Sequence, residues 1–314
     1  MRKMNGIVLK GLVPQLRTDI PVPEPQAGEV LVRITHATVN GHEIELAASS
    51  VMRLLGKLMG ARGEVQTGLE FTGTVQTSGS RFKKGDEVLG YVDMTKGWKP
   101  HADYVAIPED FLALRPEGLS AIDAAAIPMS AQTALVALRD MANVQPGDRV
   151  LVVGASGGVG LMAVQIGRLL GGQVTAVANP KHHQLLLNLG AEETVNSGDQ
   201  GLASLSGGYV LILDMTTMLR FKQVRHLLAE RGVFLPANPL NSLWDIMFKK
   251  QVQYLWVDKG DHNKLAELTQ WALSGDLKSV IDGVYPVERL GDAFARALER
   301  GKAGRVVLEL GASG

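Results

Sequence analysis

The stretch GASGGVG at positions 154–160 separates the apolar run RVLVV from the segment LMAVQIG. A strand that ends in glycines and feeds directly into a helix narrows the fold more than any other feature of this chain. The backbone has to turn within a few residues, and the helix has to start close against the sheet, where larger side chains would obstruct it. The G-x-G-x-x-G register of a dinucleotide turn falls on Ala155-Ser156-Gly157-Gly158-Val159-Gly160, with alanine replacing the first glycine. Gly157 allows the backbone to approach a phosphate, and Gly160 allows the helix to pack on the sheet. The free N–H groups at the helix start, around Ser156 to Val159, and the positive end of its dipole then attract the anion. A merely tight turn would satisfy the glycines alone. The strand before it, the amphipathic helix after it and a second strand ending at Ala178 supply the context that a dinucleotide turn requires.

The end of that second strand selects the cofactor. Sites that prefer NAD place Asp or Glu there, to bond the ribose hydroxyls. This chain instead has Asn179, Pro180, Lys181, His182 and His183. A carboxylate would repel a 2′-phosphate, whereas Lys181 and partly charged histidines attract one, so the expected cofactor is NADPH. Asn before Pro is also a good helix start, and both readings can hold together.

Around this turn, strands alternate with helices from about residue 118 onward, which indicates a parallel sheet covered on both faces. The expected elements include one helical segment over AIDAAAIPMSAQTALVALRDMA and another over MLRFKQVRHLLAERG, with the strands VFLPAN and QYLWV closing the set. Residues 1–117 read differently, as short strands separated by turn clusters such as PVPEPQAGE and RFKKGDE. A length of 314 residues suits about two domains. The expected division is 1–117 with 258–314 in one domain, and 118–257 as the dinucleotide-binding domain.

Composition mainly excludes. The chain has no cysteine, which rules out disulfides, thiolate catalysis and cysteine-ligated zinc. Lys plus Arg and Asp plus Glu both number 32, so no global field draws the chain to nucleic acid or an anionic membrane. Neither a signal peptide nor an apolar run of membrane-spanning length is apparent, so the expectation is a soluble, cytoplasmic protein.

The chain resembles the medium-chain dehydrogenase/reductase superfamily, in its zinc-free quinone oxidoreductase-like branch. The segments that carry the resemblance are ATVNGHE (37–43), GLEFTGTV (68–75), FKKGDEVLGY (82–91), HADYVAIP (101–108), AAAIPMSAQTALVAL (124–138), NVQPGDRVLVVGASGGVG (143–160), LGAEETVN (189–196) and GKAGRVVLEL (301–310). The resemblance implies an α/β fold, a GroES-like β-barrel catalytic domain plus a Rossmann doubly wound parallel-sheet domain, with the active cleft between them. The zinc-dependent alcohol dehydrogenases of the superfamily place Cys, His and Cys where this chain has Asn40, Leu69 and Met129. Those side chains make no usual zinc site, so no metal is expected.

What the resemblance implies is hydride transfer from NADPH to an electrophilic C=C bond of an enone or quinone. Conjugation already activates the β-carbon, and the protein supplies orientation and a hydrogen bond to the developing enolate. Asn40 matches the Asn of the family's N-P-x-D segment, here N-G-H-E, so the proline is lost and Asp becomes Glu43. A tyrosine that several quinone reductases carry two positions further on is replaced by Glu45. His42 and His101 are candidate proton donors, with solvent water as the alternative. The resemblance places Thr133 near the nicotinamide, Ser156, Gly157, Gly158 and Val159 on the pyrophosphate, and Asn179 with Lys181 on the adenosine phosphate. Met215, Ala237 and Asn238 lie at the carboxyl ends of sheet strands, and Arg305 sits where the family often carries a basic residue near the cofactor.

Two further expectations concern partners. The segment SVMRLLGKLMG reads either as a lid over a bulky, apolar substrate, through Met52, Leu55 and Met59, or as a surface helix on the barrel. The apolar strand 253–257 would be a liability as a free edge, and pairing with its copy predicts a homodimer. Two alternatives to a general reductase stay open: a specialised biosynthetic reductase or reductive cyclase acting on one intermediate, and a largely non-catalytic NADPH-binding protein.

Overall fold

The computed structural model describes residues 2–41, 43–44, 64–93, 99–216, 218–237, 242–255 and 260–311. His42, Met52, Leu55, Met59 and Asn238, and with them the segment SVMRLLGKLMG, lie outside the described residues.

The N-terminal part is built on one long strand. β1 (Lys3–Lys10) pairs antiparallel with β2 (Val13–Pro21) and with β4 (Glu64–Gln66). β3 (Glu29–Val39) is the hub of a larger sheet with β5 (Glu70–Val75), β6 (Glu87–Tyr91), β7 (Tyr104–Pro108) and β8 (Leu112–Leu114). One end of β3, Glu29–Arg33, pairs with β7, and the stretch from Val32 to Ala37 pairs with β5. Changing partners along its length bends the sheet toward closure.

The parallel sheet follows: β9 (Arg149–Val153), β10 (Gln173–Ala178), β11 (Glu193–Asn196), β12 (Tyr209–Asp214) and β13 (Leu228–Pro236), in the order β11-β10-β9-β12-β13. Successive side chains of β9 go to opposite faces. Val150 and Val152 join one core cluster, whereas Leu151 and Val153 join another with Phe221, Val224 and Phe234. Both faces are therefore buried, which is why these strands read as unbroken apolar runs. β14 (Ile281–Pro286) and β15 (Arg305–Glu309) then return to the first sheet, where β15 pairs antiparallel with residues His36–Val39 of β3.

Seven helices position the site and its supports: α1 (Ala121–Ala125), α2 (Pro128–Leu135), α3 (Gly158–Leu169), α4 (His183–Asn188), α5 (Leu243–Phe248), α6 (His262–Ser274) and α7 (Leu290–Leu298). Ala131 and Ala134 of α2, with Leu265 and Leu268 of α6, belong to the same cluster as Phe71 and Leu89 of the first sheet and Val152 of the parallel sheet. One continuous apolar core thus joins the two sheets and holds the faces of the cleft between them.

Three sequence expectations are corrected. The helical segment over 121–142 is broken at Pro128, which lacks an N–H and starts α2 at its first turn. Over 218–232, only Phe221–Val224 and the short turn Arg225–Leu227 are helical, and β13 begins at Leu228 because that residue already pairs with Tyr209. The strand expected over 253–257 is not formed by residues 253–255. Val252 makes a single parallel bridge to Phe234, after which Tyr254 and Leu255 turn into the cleft, while residues 256–257 lie outside the described residues.

Candidate active site

The cleft opens at the carboxyl ends of β9, β12 and β13, where the sheet order reverses direction and ligands of such folds enter. It has a volume of about 390 Å³. Gly154 and the turn Gly157–Gly160 line it after β9, Met215 after β12 and Ala237 after β13. Asn40, Glu43, Leu69 and Asp93 come from the first sheet and its connections, Met129 and Thr133 from α2, and Lys302 and Arg305 from the approach to β15.

The glycine turn is shaped by close approach. A β-carbon on Gly160 would collide with the carbonyl oxygen of Gly154 and the backbone of Ala155, so the helix start rests directly on the strand end. A β-carbon on Gly158 would collide with the guanidinium of Arg305. Gly157 is the N-cap of α3 and no side chain caps the helix there, which leaves its first N–H groups for a ligand.

Arg305 is the centre of a polar network. Its guanidinium donates to the side-chain oxygens of Asn40 and Ser130 and forms an ion pair with Glu70 at 3.0 Å. Glu70 is fully buried, and its carboxylate also accepts from Thr38 Oγ1 at 2.8 Å and from the N–H of Met129 at 2.9 Å at the start of α2. Nε of Arg305 is buried without a partner among the described residues. Beside it, burial holds the Lys302 ammonium below the ordinary lysine range, with Arg305 adding repulsion.

These features fit a dinucleotide. An uncapped helix start, a glycine-rich turn, an orphaned guanidinium N–H and a second cation converge on the same wall, which is the chemistry a pyrophosphate requires. Zinc does not fit. The three positions that the resemblance matches to zinc ligands, Asn40, Leu69 and Met129, do meet in the cleft. They offer an amide, an alkyl group and a thioether, and no group of three His, Cys, Asp or Glu side chains able to hold a metal exists among the described residues.

Of the residues expected from sequence, Asn40, Thr133, Gly157, Gly158, Val159, Met215, Ala237 and Arg305 are brought together at the cleft. Ser156 stands in the turn but does not line it, and its carbonyl accepts from the N–H of Gly304. Asn179 and Lys181 are exposed at the end of β10, where Asn179 Oδ1 accepts from the Lys181 N–H at 3.1 Å. His101 does not face the cleft, which corrects its reading as a proton donor. Its ring is 1% exposed, with Nδ1 at 2.7 Å from Thr67 Oγ1 and Nε2 at 2.9 Å from the Thr38 carbonyl. Burial, followed by the bond to Thr38 acting in opposition, leaves it at about 4, neutral at physiological pH.

Sequence reasoning passed over Lys302, Glu70 and Ser130, and gave Glu43 no role. Glu43 lines the cleft while its side chain is almost wholly buried. Oε1 accepts from the N–H of Gly68, and Oε2 has no partner among the described residues. Gly68 has φ +114°, and a β-carbon there would strike Pro100 and His101, so only glycine presents that N–H. Burial pushes the Glu43 carboxyl up to about 7, against the Gly68 bond and the Lys99 charge, which favour ionisation.

This architecture defines a two-part, dinucleotide-binding oxidoreductase fold. Residues 26–117 match the alcohol dehydrogenase GroES-like domain family, and residues 189–308 match the zinc-binding dehydrogenase family. The chain is 27% identical to the chloroplast envelope quinone oxidoreductase homolog of Arabidopsis thaliana, over 92% of each chain. It is also 27% identical to the NADPH-dependent alkenal/one oxidoreductase of the same plant, over 94% of this chain and 76% of that one. The solved quinone oxidoreductase of Coxiella burnetii shares the fold, with a TM-score of 0.85, 24% identity, and coverage of 98% of this chain and 100% of that one. The chain belongs to the medium-chain dehydrogenase/reductase superfamily, in its quinone oxidoreductase-like branch. Its GroES-like and Rossmann-type parts are the two expected from sequence, and the family uses a nicotinamide cofactor. No helix among the described residues is long and apolar enough to cross a membrane.

Proposed function

We propose that this protein is an NADPH-dependent, zinc-independent reductase that transfers hydride to the activated C=C bond of an enone or to a quinone. One observation carries the reading: the positions of the metal ligands converge on the cleft, next to the glycine turn, yet they hold Asn40, Leu69 and Met129. Without a Lewis acid, an unactivated carbonyl or alcohol is a poor substrate, whereas a conjugated acceptor is already electrophilic at its β-carbon. The bound dihydronicotinamide supplies the hydride. The chain's own groups orient and exclude water. Thr133 donates its hydroxyl proton back to the Met129 carbonyl at 2.6 Å, so toward a ligand it is an acceptor, suited to a carboxamide NH₂.

NADPH over NADH is supported by the absence of a carboxylate among Asn179–His183 and by the exposed Lys181 ammonium beside them. The relative that reduces alkenals and enones is named as NADPH-dependent. A homodimer belongs to the same proposal, since α5 exposes Leu243, Trp244, Met247 and Phe248 together. Light scattering at micromolar concentration checks it, and a monomer there removes it.

The deciding experiment follows NADPH and NADH oxidation by chelator-treated protein against quinones, short enals and bulky cyclic enones. Turnover with NADPH that survives chelation is expected. Tight NADPH binding with no turnover on any acceptor would overturn the general reductase reading in favour of a dedicated intermediate or a non-catalytic role.

A further inference from the structure

His101 is withdrawn from the cleft, whose lining carries two carboxyl side chains, Glu43 and Asp93. Glu43 lines the cleft, with one carboxyl oxygen fixed by the Gly68 N–H and the other buried without a partner among the described residues. A purely structural carboxylate in such a place gathers donors to both oxygens, as Glu70 does with Thr38, Met129 and Ser130. Glu43 gathers one. The charged groups around it are Lys99 and Arg305, which favour its ionised form, and Glu70, which opposes it. Asp93 and Lys302 line the same cleft. Lys99 is itself held below the ordinary lysine range by burial, against the attraction of Glu43 and Asp93.

We infer that Glu43 is the catalytic acid of the proposed enone reduction, donating its carboxyl proton to the substrate after hydride addition. The inference rests on the reductase reading above. Hydride addition forms a C–H bond at the β-carbon and moves the π electrons of the C=C bond into an enolate, so that the acceptor is reduced while the nicotinamide is oxidised. The O–H bond of Glu43 then breaks, its proton forms the C–H bond at the α-carbon, and the carboxylate left behind is reprotonated from water. A carboxyl that is still protonated close to neutral pH is matched to this step.

The test is reduction of 2-methylcyclohex-2-enone by NADPH in D₂O, with wild-type protein and with Glu43→Gln. Wild type is expected to deliver deuterium to one face of the α-carbon, and its kcat/KM to fall about tenfold per pH unit above about 7. Glu43→Gln is expected to lower kcat/KM by about 100-fold or more, to lose the fall above pH 7, and to scatter deuterium over both faces. Glu43→Asp keeps the alkaline fall at a reduced rate, and stands in if the glutamine variant does not fold. An infrared titration of the protein without cofactor gives a readout independent of turnover: a protonated-carboxyl band that disappears through about pH 7 and is missing in Glu43→Gln. Unchanged rate, pH profile and facial selectivity in Glu43→Gln would overturn the acid role while leaving the reductase reading intact, and so would the lack of that band in wild type. A wild-type protein that shows the band but reduces no acceptor overturns the reductase reading, and the acid role falls with it.

Discussion

Arg305 reaches Asn40, Ser130 and Glu70 at once because a guanidinium is a planar fork, and one N–H of that fork still has no partner among the described residues. Lysine conserves the charge but supplies a point donor that cannot span the same three groups. Arg305→Lys is therefore expected to weaken NADPH binding about tenfold, the loss of one charge-assisted bond, measured by fluorescence titration. At the end of β10, Lys181 stands free of any role in the core. Lys181→Ala is expected to raise KM for NADPH about five- to tenfold and to leave KM for NADH unchanged. Equal effects on both would remove Lys181 from the 2′-phosphate. Residues on recognisable segments were legible from sequence: Asn40, Thr133, Met215, Ala237 and Arg305 all reach the cleft. Lys302, Glu70 and Glu43 were harder to read because their chemistry depends on burial and on neighbours distant in sequence, such as the Gly68 N–H.

The strand–turn–helix unit of β9 and α3 contains two glycines with separable duties. Gly160 is packed against Gly154 and Ala155, so Gly160→Ala forces the helix off the strand. Overpacking of this kind costs about 1–3 kcal/mol, and a lower Tm in the absence of cofactor is expected. Gly157 has only the Gly154 oxygen near an added β-carbon, at 3.4 Å, an ordinary contact. Gly157→Ala is expected to keep the Tm within a degree or two, roughly the scatter of a neutral surface change, while weakening NADPH binding measurably. If both variants lost stability equally, the turn would be a packing device alone. At this scale β9, β10 and β12 were legible as buried apolar runs, and Pro128 explains why one helical stretch became two. The strand at 253–255 misled because Tyr254 and Leu255 have the composition of an edge strand yet serve as cleft wall. Apolar pattern states that a side chain is buried, not against what.

Across the whole molecule, Glu43 and His101 oppose each other as pH changes. Glu43 is raised from 4.5 to about 7 on folding, so its stabilising contribution is full below 4.5 and is lost as pH rises through 7. His101 is lowered from 6.5 to about 4, so its contribution is present above 6.5 and is lost as pH falls through 4. Each change corresponds to about 3 kcal/mol, and between about 4.5 and 6.5 the two slopes cancel. Wild-type stability from these groups is expected to stay level over that interval, whereas Glu43→Gln exposes the histidine slope and loses about 3 kcal/mol from pH 6.5 to 4, by urea unfolding. Parallel pH curves for the two proteins would show that Glu43 ionises normally. The return of the chain to its first sheet has a different consequence, for the order of assembly during synthesis. The partners of β9 to β13 all lie within residues 149–253, but Val39 in β3 cannot pair with Val306 until nearly the entire chain has left the ribosome. The first region made is thus the last to be finished, and for most of translation the end of β3 is an unpaired edge open to any neighbouring strand.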